Sequence, residues 1–201
     1  MPMEIGRLPD KEGWADLIRA WGVLLDRYEE LSAADYDVGY WHKENTLTAL
    51  LASAAWQSGG AGLVEFETQR TRILPEQSGE GSGDAWLKIG KVWYSVEAKL
   101  CWTPDEIEGN IQVAHDQLLT LPESHRADFG LALCYSVPEI KGKSRVGLIE
   151  GLGKDLARRL PEASLVVSYK PLKTEAPEHV GAVYPGMAAV GRIVDWKTLR
   201  K

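Results

Sequence analysis

The stretch Asp84-Ala85-Trp86-Leu87-Lys88-Ile89-Gly90-Lys91-Val92-Trp93-Tyr94-Ser95-Val96-Glu97-Ala98-Lys99 decides how this 201-residue chain reads. Apolar and polar residues alternate on both sides of Gly90-Lys91, the pattern of two half-buried strands. A two-residue loop with Gly at its first position suits a type II′ hairpin turn. That turn pairs Ile89 with Val92, Leu87 with Tyr94, Ala85 with Val96 and Asp84 with Glu97. One face then carries Ala85, Leu87, Ile89, Val92, Tyr94, Val96 and Ala98, which is a core face. The other carries Asp84, Trp86, Lys88, Trp93, Ser95, Glu97 and Lys99. Directly opposed residues have Cβ atoms about 4.5–5.5 Å apart. Two carboxylates at that separation repel unless something positive lies between them. A divalent cation is the simplest candidate. Lys99, two residues beyond Glu97, points to the same side.

Asp84, a short spacer and Glu97-Ala98-Lys99 on the next strand resemble the PD-(D/E)xK nuclease superfamily, the restriction-endonuclease-like fold. The resemblance implies an acid pair, Asp84 and Glu97, that binds Mg²⁺, with Mn²⁺ as a possible substitute. It implies a lysine, Lys99, that orients or activates the attacking water. The carbonyl of Ala98 is a further candidate metal ligand. Gly83 stands where the family pattern has Pro, a position that does no chemistry. Oxygen ligands and retained waters suit Mg²⁺, and the pattern offers no thiolate ligand.

The surrounding elements extend the match. A helix is expected from about residue 42 to 57, with Glu44, Leu47, Leu51 and Ala54 on one face. Many members of the resembled superfamily place another active-site acid on this helix, and Glu44 matches that position. Alternatively, Glu44 complements the positive end of the helix. Gly59-Gly60-Ala61-Gly62 closes the helix, and Leu63 to Arg70 reads as a strand. Glu65 and Glu67 on it are exposed-face residues or further site acids. Residues 75–83 read as a loop entering the hairpin, either a lid or a plain connector.

After the hairpin, Thr103 and Glu106 form a capping-box pattern with Pro104 at the first helical position. Ile107, Ile111, Ala114, Leu118 and Leu121 are the buried stripe of that helix. Superfamily relatives often carry a Gln there near the site, which singles out Gln112, then Gln117. A solvent-facing Gln is the plainer alternative. Strands are expected at 129–137 and 165–169 and a helix at 148–160, with possible edge strands at 180–184 and 190–196. The expected fold class is therefore α/β, a single domain with a restriction-endonuclease-like αβββαβ core over about residues 42–137. An N-terminal helical extension, 1–39, precedes it and C-terminal additions, 138–201, follow. That extension carries Trp14, Leu17, Ile18, Trp21, Leu24, Leu25, Tyr28 and Leu31 at helical spacing, a core stripe or a contact for a homodimer or protein partner.

Charge is unevenly spread. The chain carries −6 overall, but residues 140–201 hold 12 bases and 6 acids. Lys141, Lys143, Arg145, Lys154, Arg158 and Arg159 are the candidates for phosphate contacts to nucleic acid, DNA above all; the alternative is a solvated face. An acidic pI near 5.3 excludes an indiscriminate DNA-coating protein. No run reaches the ~18 apolar residues of a membrane span. Cys101 and Cys134 have no C-x-x-C spacing and read as reduced thiols of a cytoplasmic protein. His42, His115, His125 and His179 form no zinc spacing with them. No phosphate loop or nucleophile elbow is present. The leading expectation is a Mg²⁺-dependent nuclease. The alternative is a non-catalytic interaction or inhibitor module on a nuclease-like fold.

Overall fold

The computed structural model describes residues 3–32, 44–70, 79–138, 140–141, 149, 151–171, 178–179, 182–183 and 186–200. The fold is mixed α/β. Seven strands form one sheet: β1 (Met3–Arg7), β2 (Ala61–Arg70), β3 (Gly79–Ile89), β4 (Val92–Cys101), β5 (Phe129–Ser136), β7 (Leu165–Tyr169) and β10 (Met187–Val194). Their spatial order is β1-β7-β10-β5-β4-β3-β2. Every neighbouring pair is antiparallel except β4 with β5. Parallel neighbours need a crossover, and α3 (Ile107–Leu119) supplies it. The other helices are α1 (Trp14–Ser32), α2 (Glu44–Gln57) and α4 (Leu152–Arg159). A small second sheet joins β6 (Ile140–Lys141), β9 (Ala182–Val183) and β8 (Glu178–His179) in that order.

Both faces of the large sheet are covered. Leu131, Leu133 and Tyr135 of β5 pack with the buried residues of α1 and α2. Ala132 and Cys134, the alternate positions, pack with α3 and α4. Strands buried on both faces read as continuous apolar runs, which is why β5 and β7 lack a polar side. The aromatic stripe of α1 faces inward: Trp14, Leu17, Ile18, Trp21 and Leu25 are each at most 1% exposed. These five side chains belong to the protein's own core, whereas Leu31 at the end of the stripe is 72% exposed.

The hairpin forms in the expected register, with Ile89 opposite Val92, Leu87 opposite Tyr94 and Ala85 opposite Val96. Gly90 takes φ +59° and Lys91 keeps a negative φ, as a type II′ turn requires. A side chain there would also strike the Glu12 carbonyl, 2.8 Å from an added Cβ. Helix α2 lies so close to β2 that a Cβ on Gly62 would sit 2.5 Å from the Ala52 carbonyl oxygen. This contact fixes the helix over the β2–β3 ladder.

Several expectations need correction. The N-terminal segment is not purely helical. Met3–Arg7 is a strand paired with β7 at the far edge of the sheet. Arg7 holds it there by donating to the carbonyls of Ala157, Leu160, Pro161 and Ala163 at the end of α4. Residues 79–83 belong to β3 rather than to a loop, while 71–78 lie outside the described residues. The Thr103 side chain makes no cap bond; a 3₁₀ turn, Pro104–Glu106, precedes α3, and Glu106 accepts from the Trp102 N–H instead. Finally, β10 is not an edge strand. It lies between β7 and β5 in the middle of the sheet.

Candidate active site

The polar residues expected on the hairpin gather around one residue, Ala98. Its N–H donates to Asp84 Oδ2 at 2.7 Å. Its carbonyl accepts from Lys99 Nζ, also at 2.7 Å. The same ammonium lies 3.6 Å from Glu44 Oε1, in the first turn of α2. Three side chains from three elements thus meet at the end of β4. Burial pushes the Glu44 carboxyl above its ordinary value, and the negative Asp84 adds to this. Lys99 and the backbone of Leu100 oppose the shift. Glu44 is therefore more than a helix-end charge: its carboxylate is partly desolvated and faces an acid and a base.

Asp84 occupies an interruption in the sheet. The β3–β4 ladder stops at Ala85–Val96, so the next pair, Asp84 and Glu97, is outside it. On the other side, Val64 pairs with Ala85 and Phe66 with Gly83, while Glu65 and Asp84 between them do not pair. Glu65 has φ +51°, the left-handed region, which costs a glutamate energy. Alternation puts Glu97 on the polar face of the hairpin with Asp84 and Lys99. Glu97 is 1% exposed, in register with Ala132 on the face that α3 covers. A buried carboxylate beside the cluster is a costly feature that structure must compensate.

Gln112 is not brought to this group. Its amide donates to Asp116 at 2.8 Å and accepts from Arg192 of β10 at 3.5 Å. The amide oxygen of Gln117 is buried without a hydrogen-bond partner among the described residues. Of the basic residues, Lys154 pairs with Glu4 at 3.5 Å, Arg158 with Asp155 at 3.1 Å and Arg159 with Asp105 at 2.8 Å. Lys143 and Arg145 lie outside the described residues, as does the side chain of Lys141. Cys101 and Cys134 are free, buried and 3.6 Å apart at sulfur. The neighbouring thiol and burial push Cys134 far up.

The donor set at the cluster is all oxygen, which suits a hard cation such as Mg²⁺. The Ala98 carbonyl already accepts a cation, the Lys99 ammonium. Among the described residues, no group of three or more His, Cys, Asp or Glu side chains is placed to hold an ion by itself. A site here must be completed by main-chain oxygen, water or substrate. Sequence reasoning passed over Asn45 and Thr46, which with Glu65, Val64 and Ala49 line a cleft of about 330 Å³ opening on Asp84. Their only signal was adjacency to Glu44.

No helix among the described residues is long and apolar enough to cross a membrane. Comparisons with protein-family models, with curated proteins and with solved structures found no match to this chain.

Proposed function

We propose that this protein is a metal-dependent nuclease that hydrolyses phosphodiester bonds, with DNA the preferred substrate. One observation carries the reading. Asp84 and Lys99 bond the two polar groups of Ala98, and Glu44 pairs with the same Lys99 ammonium. The order of α2, three antiparallel strands, α3 and a strand parallel to the third agrees with the αβββαβ core of the PD-(D/E)xK superfamily.

In this reading, Asp84, Glu97 and the Ala98 carbonyl would hold Mg²⁺, which would supply charge neutralisation and a more acidic bound water. Lys99 positions that water or offsets the charge that develops on the phosphate oxygens. Glu44, with its raised pKa, accepts a proton from the attacking water more readily than an ordinary glutamate. Substrate phosphate would complete the ligand set that the side chains leave short.

A second reading is the interaction module. It is favoured by exposed apolar side chains on α2 and on the edge strand β2, where Trp56, Leu63 and Val64 are 60%, 53% and 42% exposed. The deciding experiment incubates the protein with single- and double-stranded DNA and RNA in millimolar Mg²⁺ or Mn²⁺. The parent should cut, and Asp84→Asn should lower the rate by about 10²-fold or more. The same ions should raise the parent melting temperature, less so for Asp84→Asn. No cutting and no thermal shift across the panel would remove the nuclease reading and leave the interaction module.

A further inference from the structure

We infer that the cleft beside Asp84 is a base pocket. It takes one unstacked nucleobase carrying an exocyclic amino group, next to the phosphate at the Ala98 cluster, and Asn45 and Glu65 read that base's edge. The inference rests on the nuclease reading and names what its site would hold beyond the phosphate.

The cleft exists because β2 and β3 part at one place. The ladder is intact at Val64–Ala85 and at Phe66–Gly83, and only Glu65 and Asp84 are unpaired between them. The first turns of α2 close the other side with Asn45, Thr46 and Ala49. Its volume, about 330 Å³, lies at the lower end of small-molecule sites, enough for one nucleoside. Asp84 is part of its wall. The cleft therefore shares Asp84 with the Ala98 cluster.

Charge decides what enters. Among the described residues no lysine or arginine lines the cleft, and Glu65 and Asp84 both do. A phosphate is repelled from it. A neutral group that donates hydrogen bonds is attracted. Val64 and Ala49 supply apolar wall, and Thr48 behind them spends its hydroxyl on Tyr135 at 3.2 Å. An apolar slot with acceptors at one edge fits a planar heterocycle. Asn45 donates its amide to the Glu65 carboxylate, so the two side chains present a joined edge. Carboxylates accept from the amino group of cytosine, and side-chain amides pair with adenine. Thymine and uracil would turn a carbonyl toward Glu65 and be disfavoured. The unusual φ of Glu65 takes the strand out of its regular path at this point.

The test maps cleavage ends on randomised single-stranded DNA in Mg²⁺. One position flanking the cut should be depleted in thymine about tenfold. Glu65→Gln, which adds donors, should bring that bias to within about twofold, and Asn45→Ala should weaken it. Both residues are exposed, so these variants should fold. A second arm uses Lys99→Ala protein to bind oligonucleotides carrying 2-aminopurine at successive positions. Fluorescence should rise at one position only, and Ala49→Phe, which fills the cleft, should abolish the rise. Cutting without base bias, or binding without a position-specific signal, overturns the base pocket and leaves the nuclease standing. Absence of any cutting or binding overturns both.

Discussion

At Lys99 one charge serves an acid and a carbonyl. Its ammonium bonds the Ala98 carbonyl and lies 3.6 Å from Glu44, while Asp84 holds the N–H of the same residue. Removing it leaves Glu44 without the ammonium beside it. Lys99→Met should therefore lower the melting temperature in the absence of divalent ions. It should also gain more from Mg²⁺ than the parent does, because an ion would replace the missing charge on the Ala98 carbonyl. Thermal unfolding with and without Mg²⁺ measures both effects, and an equal gain in the two proteins would refute the shared-cation account. Cleavage should fall by about 10²-fold in the same variant. Asp84 and Lys99 were legible in the sequence because alternation and a two-residue turn fix strand facing, and Glu44 because helical spacing and the family resemblance singled it out. The burial of Glu97 was not, since alternation says which residues share a face and not what covers it. The strain at Glu65 was equally invisible, because only the pairing of β2 with β3 reveals it.

Elements were readable where they make their own pattern. The hairpin, α2, β5 and β7 follow from turn residues and periodicity. Strands β1 and β10 do not, and the reason is physical. Met3–Arg7 is five residues whose partner, β7, begins about 160 positions later. Met187–Val194 carries Ala188, Ala189 and Gly191, small residues that suit a strand buried on both faces but have weak strand propensity. The α1–β7 contact gives a pH prediction. Tyr169 donates to Asp26 Oδ1 at 2.9 Å. Burial pushes the Asp26 carboxyl above its ordinary value of 3.8; the bond from Tyr169 opposes this and the negative Glu30 adds to it. A raised carboxyl means that the folded protein holds this proton more tightly than the unfolded chain. The corresponding stabilisation is present at low pH and lost as pH rises from about 3.8 through the folded pKa. Asp26→Asn keeps an acceptor for Tyr169 and removes the titration. Relative to the parent, it should gain stability between about pH 4 and pH 7. Urea midpoints across that range give the comparison, and parallel curves for the two proteins would exclude the assigned linkage.

Across the whole molecule, position in the sheet separates chemistry from charge. The Ala98 cluster lies on β3 and β4, whereas α4 packs on β1 and β7, near the opposite edge. Four strand spacings separate β3 from β7, roughly 20 Å at about 4.8 Å each. A bound nucleic acid could touch both regions, yet the bases on α4 already have acidic partners. Lys154, Arg158 and Arg159 pair with Glu4, Asp155 and Asp105. A paired base on a surface contributes little extra field, because the acid screens it at short range. Lys141, Lys143 and Arg145 are close together in a segment of net positive charge. The two triplets should therefore behave differently. Replacing Lys141, Lys143 and Arg145 with Ala should weaken nucleic-acid binding and reduce the slope of log affinity against log salt by about 1 for each lost phosphate contact. If these residues act through phosphate contacts alone, single-turnover cleavage at saturation should persist. Replacing Lys154, Arg158 and Arg159 should change the slope by less than about 1 in total. Equal slope changes for the two triplets would show that the ion pairs of α4 open on binding, and an unchanged slope in both would assign the basic segment to solvent alone.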